Sequence, residues 1–143
     1  MSTTDQLHWN DDGLIPAIVQ DISTQQVLML GWMNPEALQL TMTSGYVTFW
    51  SRSRQELWRK GESSGNMMLT SAVYYDCDND ALLVQAAPSG PACHTGNTTC
   101  FYRPLEFDQV VAAANQARSV GDAPVFVWPE EAAQGEPALA VGA

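Results

Sequence analysis

Basic residues are scarce in this chain of 143 residues, which has six Lys and Arg residues against 16 Asp and Glu residues. The formal net charge is −10 at pH 7 with histidine neutral. Non-specific binding to nucleic acid requires clustered cations that neutralise phosphates, so we expect no nucleic-acid partner. Most of the cations are concentrated in one segment, at Arg52, Arg54, Arg59 and Lys60. This concentration indicates a site for one small anionic ligand.

The sequence also lacks long apolar runs and a recognisable secretory leader. No uninterrupted apolar stretch approaches the ~18 residues that a membrane-spanning helix requires. Residues 1–10 contain neither a cationic region nor an apolar one. We therefore expect a cytoplasmic protein without membrane association, in which thiols stay reduced. The hydrophobic content of 45% and the charged content of 15% are typical of a folded globular domain.

The apolar segments predict an α+β fold in which strands dominate. Strands are expected at 14–19, 27–33, 46–51, 67–75, 81–86 and 125–128. The first helix is expected near 34–45, with Asn34 as its N-cap, Pro35 at its first position and Gly45 at its end. Leu38 and Met42 would form its buried stripe.

The remaining segments complete the expected organisation. Residues 52–66 are polar and contain glycines, so they are predicted to be largely loop. A second helix is predicted near 106–120 from apolar residues at helical spacing. We expect a single domain over 1–128 and a loose tail, rich in Ala, Glu, Gly and Pro, over 129–143.

Three cysteines are the only thiols, and each lies in a polar segment. Cys77 is flanked by aspartates, Cys93 precedes His94, and Cys100 closes the same loop. Their spacing is not that of a closed zinc knuckle, but three thiolates can bind zinc and leave one position open for water. His94 is then the candidate base. Taken singly, each cysteine is more typical of an inert thiol, and His94 could be an exposed loop residue.

Three aspartates alternate with other residues over 76–80, at Asp76, Asp78 and Asp80. In an extended segment they share one face and Cys77 lies on the other. Carboxylate oxygens are the ligands that Mg²⁺ prefers, so the segment is a candidate magnesium site. An EF-hand is excluded because its required Gly and Glu positions are alanines. The alternative is a solvated β-turn.

Residues 51–66 combine arginine, lysine, serine and glycine, which together hold phosphate groups. The Walker order is absent, and a solvated basic loop is the alternative. The candidate substrate-binding residues are Arg52, Ser53, Arg54, Lys60, Glu62 and Ser64.

Taken together, these segments resemble phosphoribosyl-AMP cyclohydrolases, histidine-biosynthesis enzymes that open the adenine ring of phosphoribosyl-AMP. The resemblance runs from about residue 12 to 107. It depends on the motifs at 31–34, 49–54, 57–65, 76–80, 90–96 and 100–101. Thr99 departs from the family pattern, in which Ser usually precedes the last cysteine.

The resemblance implies hydrolysis of the N1–C6 bond, dependence on Zn²⁺ and Mg²⁺, and an intertwined homodimer that acts on a small nucleotide. His94 would be the catalytic residue. The implied ligands are, for Zn²⁺, Cys77 of one subunit with Cys93 and Cys100 of the other, and, for Mg²⁺, Asp76, Asp78 and Asp80. We expect no fused pyrophosphohydrolase domain, because too few residues follow the region of resemblance.

Two other functions are considered at this point. A zinc nucleobase deaminase attacks the equivalent purine carbon, but its His-x-Glu and Pro-Cys-x-x-Cys signatures are absent. A dimer with purely structural zinc and no enzymatic activity is the second alternative, and chelation would unfold it.

Overall fold

The computed structural model of the chain describes residues 3–106, and strands dominate its α+β architecture as predicted. The chain divides into two units, Met1–Arg103 and Pro104–Ala143, and the described helices and strands all lie in the first. The elements are a 3-10 turn at Thr3–Gln6, β1 at Ile15–Asp21, β2 at Val27–Met33, α1 at Pro35–Ser44, β3 at Thr48–Ser51, β4 at Glu56–Arg59, β5 at Met68–Tyr75 and β6 at Leu82–Pro88.

Two predictions near the C-terminus concern residues outside that range. These are the strand at 125–128 and the tail over 129–143, and nearly all of the helix predicted near 106–120 also lies beyond residue 106. Within residues 3–106, no helix has both the length and the hydropathy needed to cross a membrane.

Four strands form the main sheet, in the order β2-β1-β6-β5. Strand β1 pairs with β2 in an antiparallel hairpin and with β6 in parallel, and β5 is antiparallel to β6. Strands β3 and β4 form a separate antiparallel pair. The outer strands β2 and β5 therefore run in the same direction.

One face of the main sheet carries the core. Residues at alternate positions of β1 and β6 are fully buried, which is the period expected when only one face is covered. Each large aliphatic side chain removed from water contributes ~1.5–3 kcal/mol. The largest buried side chains include Phe49, Ile15, Leu28, Met33, Leu38 and Met68.

Helix α1 begins and ends at the predicted residues. The Asn34 side chain accepts a hydrogen bond from the Ala37 N–H at 2.8 Å, and Gly45 adopts a left-handed conformation with φ of 81°. Both features satisfy backbone groups that the ends of a helix leave unpaired.

The predicted buried stripe of α1 was wrong in one position. Leu38 is buried, but Met42 is 58% exposed, and Thr41 is buried instead. The Thr41 hydroxyl donates to the Ala37 carbonyl and accepts from the Thr48 N–H, both at 2.9 Å. A polar residue is therefore buried because it connects α1 to β3 through satisfied hydrogen bonds.

Residues 52–66 are largely loop, as predicted, but strand β4 at Glu56–Arg59 was missed. Strand β4 pairs with β3, and the Phe49 and Trp58 rings lie 5.2 Å apart between centroids. Leu57 and Trp58 are partly buried against the core. The turn between the strands contains Gln55 with a positive φ of 54°, and this tight geometry has no strong sequence signal.

The close approach of β2 to β3 depends on a glycine. A Cβ atom added at Gly31 would lie 2.5 Å from Cδ1 of Phe49. We predict that Gly31→Ala lowers the free energy of unfolding by ~1–3 kcal/mol, because a buried ring must move. Urea unfolding followed by circular dichroism measures this change.

A double variant provides the control for that prediction. If the Phe49 ring causes the loss, Gly31→Ala combined with Phe49→Leu should be less destabilised than the sum of the two single variants. Ser71→Ala, at an exposed strand position, should leave stability nearly unchanged. Additive losses would refute the proposed contact.

Candidate active site

A cleft of about 320 Å³ lies between the loop that follows β4 and the loop that carries Cys93 and His94. Arg54, Arg59 and Lys60 line it on one side, and Cys93 and His94 line it on the other. Two segments that are far apart in the sequence, one cationic and one bearing a thiol and an imidazole, therefore face the same cavity. The predicted substrate-binding residues found here are Arg54, Lys60, Glu62 and Ser64.

A tight turn shapes the cationic wall of the cleft. Gly61 has a φ of 87°, and an added side chain there would meet the backbone of Asn66 and Met67. The Gly65 N–H donates to the Gly61 carbonyl at 2.7 Å, and the Glu62 N–H donates to the Arg59 carbonyl at 3.0 Å. Glycine at 61 thus allows the chain to reverse closely, with Ser63 and Ser64 at the cleft.

Hydrogen bonds to the edge strand β2 fix the other wall. The Thr99 hydroxyl donates to the Val27 carbonyl at 2.7 Å, and the Cys100 N–H donates to the Leu28 carbonyl at 2.7 Å. Thr99 therefore departs from the family pattern without losing a hydroxyl at this position. The Cys93 N–H donates to the Asn97 carbonyl at 3.1 Å and closes the loop above this attachment.

The two cysteines of this loop have opposite electrostatic surroundings. The Thr95 hydroxyl donates to Cys93 Sγ at 3.0 Å and, with the Thr95 backbone and the Lys60 ammonium, lowers the pKa of Cys93. Burial, followed by the charge of neighbouring Cys93, raises the pKa of Cys100. The two thiols are therefore near enough to influence each other, and a thiol with a lowered pKa loses its proton more readily to a metal ion.

Cys77 does not join this pair within a single chain. Among residues 3–106, the one group of three or more potential metal ligands with atoms within 4.8 Å of one another is Asp76, Asp78 and Asp80. Cys77 is exposed, as is Cys100, and Cys93 is buried. The predicted zinc site takes Cys77 from one subunit and the other two cysteines from its partner, so it stays a prediction that one copy of the chain does not test.

The acidic segment brings its carboxylates together by a turn. Residues 77–80 form turns and bends, and Asn79 has a φ of 66°, so the segment is a turn and not extended. Asp76 Oδ1 accepts hydrogen bonds from the N–H groups of Asp80 at 3.0 Å and Ala81 at 3.2 Å. Aspartate and asparagine side chains stabilise turns of this kind. The turn places three carboxylates where a hard cation could bind.

The carboxylates of this turn perturb one another. Desolvation acts to raise the pKa of Asp76, but hydrogen bonds from the Asp80 and Ala81 backbone and from neighbouring carboxyl groups lower it. The hydrogen bond with Asp78, together with desolvation and the negative charge of Asp78, raises the pKa of Asp80. Three carboxylates crowded together in this way repel one another, and a divalent cation bound between them would relieve that repulsion.

Arg52 and Ser53 line a different cavity, of about 500 Å³, which Trp32, Trp50 and Trp58 also line. The cationic segment is thus divided between two cavities. Sequence reasoning assigned no role in binding to Trp32 or Trp58, although both lie in the motifs that carried the resemblance. Tryptophan beside arginine in such a motif is the signal that could have identified them.

Comparison with known proteins agrees with the arrangement of these segments. A family model for phosphoribosyl-AMP cyclohydrolase matches residues 29–102, which include both walls of the cleft and the acidic turn. The chain is 52% identical over 105 residues to the phosphoribosyl-AMP cyclohydrolase of Archaeoglobus fulgidus, a match that covers 73% of this chain and 97% of the relative.

Two further relatives extend this comparison. The chain is 58% identical over 96 residues to the phosphoribosyl-AMP cyclohydrolase of Leifsonia xyli subsp. xyli, covering 67% of this chain and 77% of the relative. It is 60% identical over 98 residues to the histidine biosynthesis bifunctional protein HisIE of Xanthomonas campestris pv. campestris, covering 68% of this chain. That match spans 48% of the bifunctional relative, so the chain corresponds to about half of its length. Since the family model covers more than half of the chain and a full-length relative is matched almost end to end, the chain belongs to the phosphoribosyl-AMP cyclohydrolase family.

Proposed function

We propose that this chain hydrolyses the N1–C6 bond of 1-(5-phosphoribosyl)-AMP and so opens the adenine ring in histidine biosynthesis. The observation that carries this proposal is the cleft in which Arg54, Arg59 and Lys60 face Cys93 and His94. The cations suit a phosphorylated nucleotide, and the imidazole suits proton transfer at the ring. The names of the relatives support the same reaction.

The balance of the reaction defines what the residues of the cleft must do. The oxygen of one water molecule forms a bond to C6, the C6–N1 bond breaks, and N1 gains a proton. C6 keeps its amino nitrogen and becomes a carboxamide, so no ammonia is released. His94, which lines the cleft, would accept a proton from the water and return it to the departing nitrogen. Lys60 and the serine hydroxyls of its loop orient a phosphate, which fixes the ring relative to His94.

The donor set at the thiol loop fits zinc. Cys93 and Cys100 lie close enough for each to shift the pKa of the other, and zinc favours thiolate ligands. Cys77 of a second copy would supply the third thiolate. When bound, Zn²⁺ offers an open coordination position at which water becomes more acidic. The carboxylates of Asp76, Asp78 and Asp80 fit Mg²⁺ in the same way.

A homodimer is supported by an apolar row on the uncovered face of the main sheet. Ile18 lies opposite Leu30 on one side and Leu83 on the other, and Leu83 lies opposite Tyr74. The row crosses all four strands, and Leu30 is 45% exposed and Tyr74 54% exposed. A contiguous apolar surface of this kind is typical of an interface.

The sheet topology explains how such a dimer would complete the thiol site. Cys100 is bonded near the start of β2, and Cys77 follows the end of β5. Because β2 and β5 are the outer strands and run in the same direction, these positions lie at diagonally opposite corners of the sheet. If two sheets pack face to face with their strands nearly perpendicular, the Cys100 corner of each copy lies over the Cys77 corner of the other. Two equivalent sites would result, each containing ligands from both chains.

The reaction itself is tested by turnover of phosphoribosyl-AMP with zinc and magnesium present. We expect the ring-opened carboxamide product without ammonia, whereas a deaminase would release ammonia. His94→Gln should lower kcat by about 10²- to 10⁴-fold, because proton transfer is lost. The circular dichroism spectrum and KM should change little.

The other histidine provides a matched control for that variant. His8 contacts the Asp78 carbonyl through Nδ1, and it does not line the cleft. His8→Gln should therefore retain most of the activity, since glutamine can still donate to that carbonyl. Full turnover by folded His94→Gln would refute the assigned base.

The dimer surface is tested separately by placing a charge in the apolar row. Leu30→Glu should shift the sedimentation coefficient towards the monomer and abolish turnover, because a desolvated carboxylate opposes association. Met42→Glu, an equally apolar and exposed position on α1, should remain dimeric and active. A dimeric, active Leu30→Glu protein would exclude this face as the interface.

A further inference from the structure

Arg52 lies in a second cavity with the features of an anion site. Its guanidinium carbon is 4.7 Å from the centroid of the Trp32 ring. The cavity, of about 500 Å³, also contains the Ser53 side chain. A guanidinium stacked on an indole is held in one orientation by its flat face, while its N–H edges stay available for hydrogen bonds.

The charge of Arg52 is not neutralised by a carboxylate of residues 3–106, since none lies within the 4.0 Å of an ion pair. Asp12 lines an adjoining cavity that Arg52 also borders, without such a pair. Arg54 differs, because its Nη1 lies 3.1 Å from Oε1 of Glu56. In a chain with a net charge of −10, an arginine that is oriented by an aromatic ring but lacks an acidic partner is suited to a ligand.

Trp58 connects this cavity to the catalytic cleft, because its side chain lines both. Lys60 Nζ lies 5.6 Å from the centroid of the Trp58 ring on the side of the cleft. The surface therefore presents a cation at each end, Lys60 and Arg52, with an indole between them. This arrangement matches an elongated ligand that has an anionic group at both ends.

We propose that Arg52 and Trp32 form a second phosphate subsite, which binds one phosphate of the substrate while the Lys60 loop binds the other. The proposal rests on the proposed function and deepens it, because it states how a nucleotide with two phosphorylated riboses is distinguished from one with a single phosphate. Ser53 adds a hydroxyl to the same subsite. Trp32 acts as a positioning residue that holds the Arg52 side chain.

The test measures the KM of the wild type, Arg52→Gln and Lys60→Gln for three substrates. The substrates are phosphoribosyl-AMP and two analogues, each lacking one of the two phosphates. Arg52→Gln should raise KM for the full substrate about 10- to 100-fold, as expected for lost hydrogen bonds to a charged group. Its kcat should stay within about twofold of wild type. The KM of Arg52→Gln should be the same for the full substrate and for the analogue that lacks the phosphate bound by Arg52. Its KM should still rise for the analogue that lacks the phosphate bound by the Lys60 loop.

For Lys60→Gln the result should be reversed: its KM should not depend on the phosphate bound by the Lys60 loop, but should still rise when the phosphate bound by Arg52 is absent. Arg103→Gln is the matched control, because Arg103 also lies over an aromatic ring, at 5.6 Å from that of Tyr102, and lines neither cavity. It should leave all three KM values unchanged. Arg52→Lys should recover part of the loss, since it restores charge without the planar stacking.

An equal rise of KM for all three substrates with Arg52→Gln would overturn the subsite, because it would indicate a general structural role. An unchanged KM for the full substrate would overturn it as well. Failure of the wild-type enzyme to turn over phosphoribosyl-AMP would refute the proposed function instead.

A binding measurement tests the subsite without turnover. Inorganic phosphate titrated into the wild-type protein should shift the Trp32 indole N–H resonance in a saturable manner, and Arg52→Gln should abolish that shift. A Trp32 resonance that does not respond in the wild type, or responds equally in Arg52→Gln, would overturn the proposal.

Discussion

The attachment of the thiol loop to the edge of strand β2 is the constraint on which the site depends. An edge strand has backbone groups that no neighbouring strand satisfies, and the carbonyls of Val27 and Leu28 accept from the Thr99 hydroxyl and the Cys100 N–H instead. These bonds fix Cys100 and, through the closed loop, Cys93 opposite the cationic turn. Without these hydrogen bonds the cleft would lose one wall, even if the hydrophobic core were intact.

The acidic turn and the thiol loop are each well organised within one chain, yet Cys77 lies apart from Cys93 and Cys100. The proposed dimer explains this separation of the cysteines, and it also explains two features that have no role in a monomer. These are the apolar row on the open face of the sheet and the placement of the two thiol segments at opposite corners. Because Asp76 and Cys77 are adjacent, one short segment of the chain would then contribute ligands to both metals.

Local signals accounted for much of what the sequence predicted. The helix was delimited by Asn34, Pro35 and Gly45, whose backbone preferences act within a few residues, and most strands had apolar runs of the expected length. Tertiary contacts decided what was missed. Strand β4 exists because Leu57 and Trp58 pack against the core, and Thr41 is buried because β3 supplies its partners. The grouping of Lys60 with Cys93, and of Arg52 with Trp32, likewise requires the folded chain, since the sequence placed Arg52 and Lys60 in the same cationic segment.

Complementation between inactive variants tests the central claim, that the active site is completed by a second copy of the chain. Cys77→Ser and Cys93→Ser should each be inactive alone, because every site of either homodimer lacks one thiolate. After the two are mixed, unfolded and refolded together, half of the dimers should contain one intact site out of two. The account predicts recovery of about a quarter of the wild-type activity, as a two-fold symmetric interface requires. Absence of recovery, with heterodimers demonstrated by mass spectrometry, would contradict it.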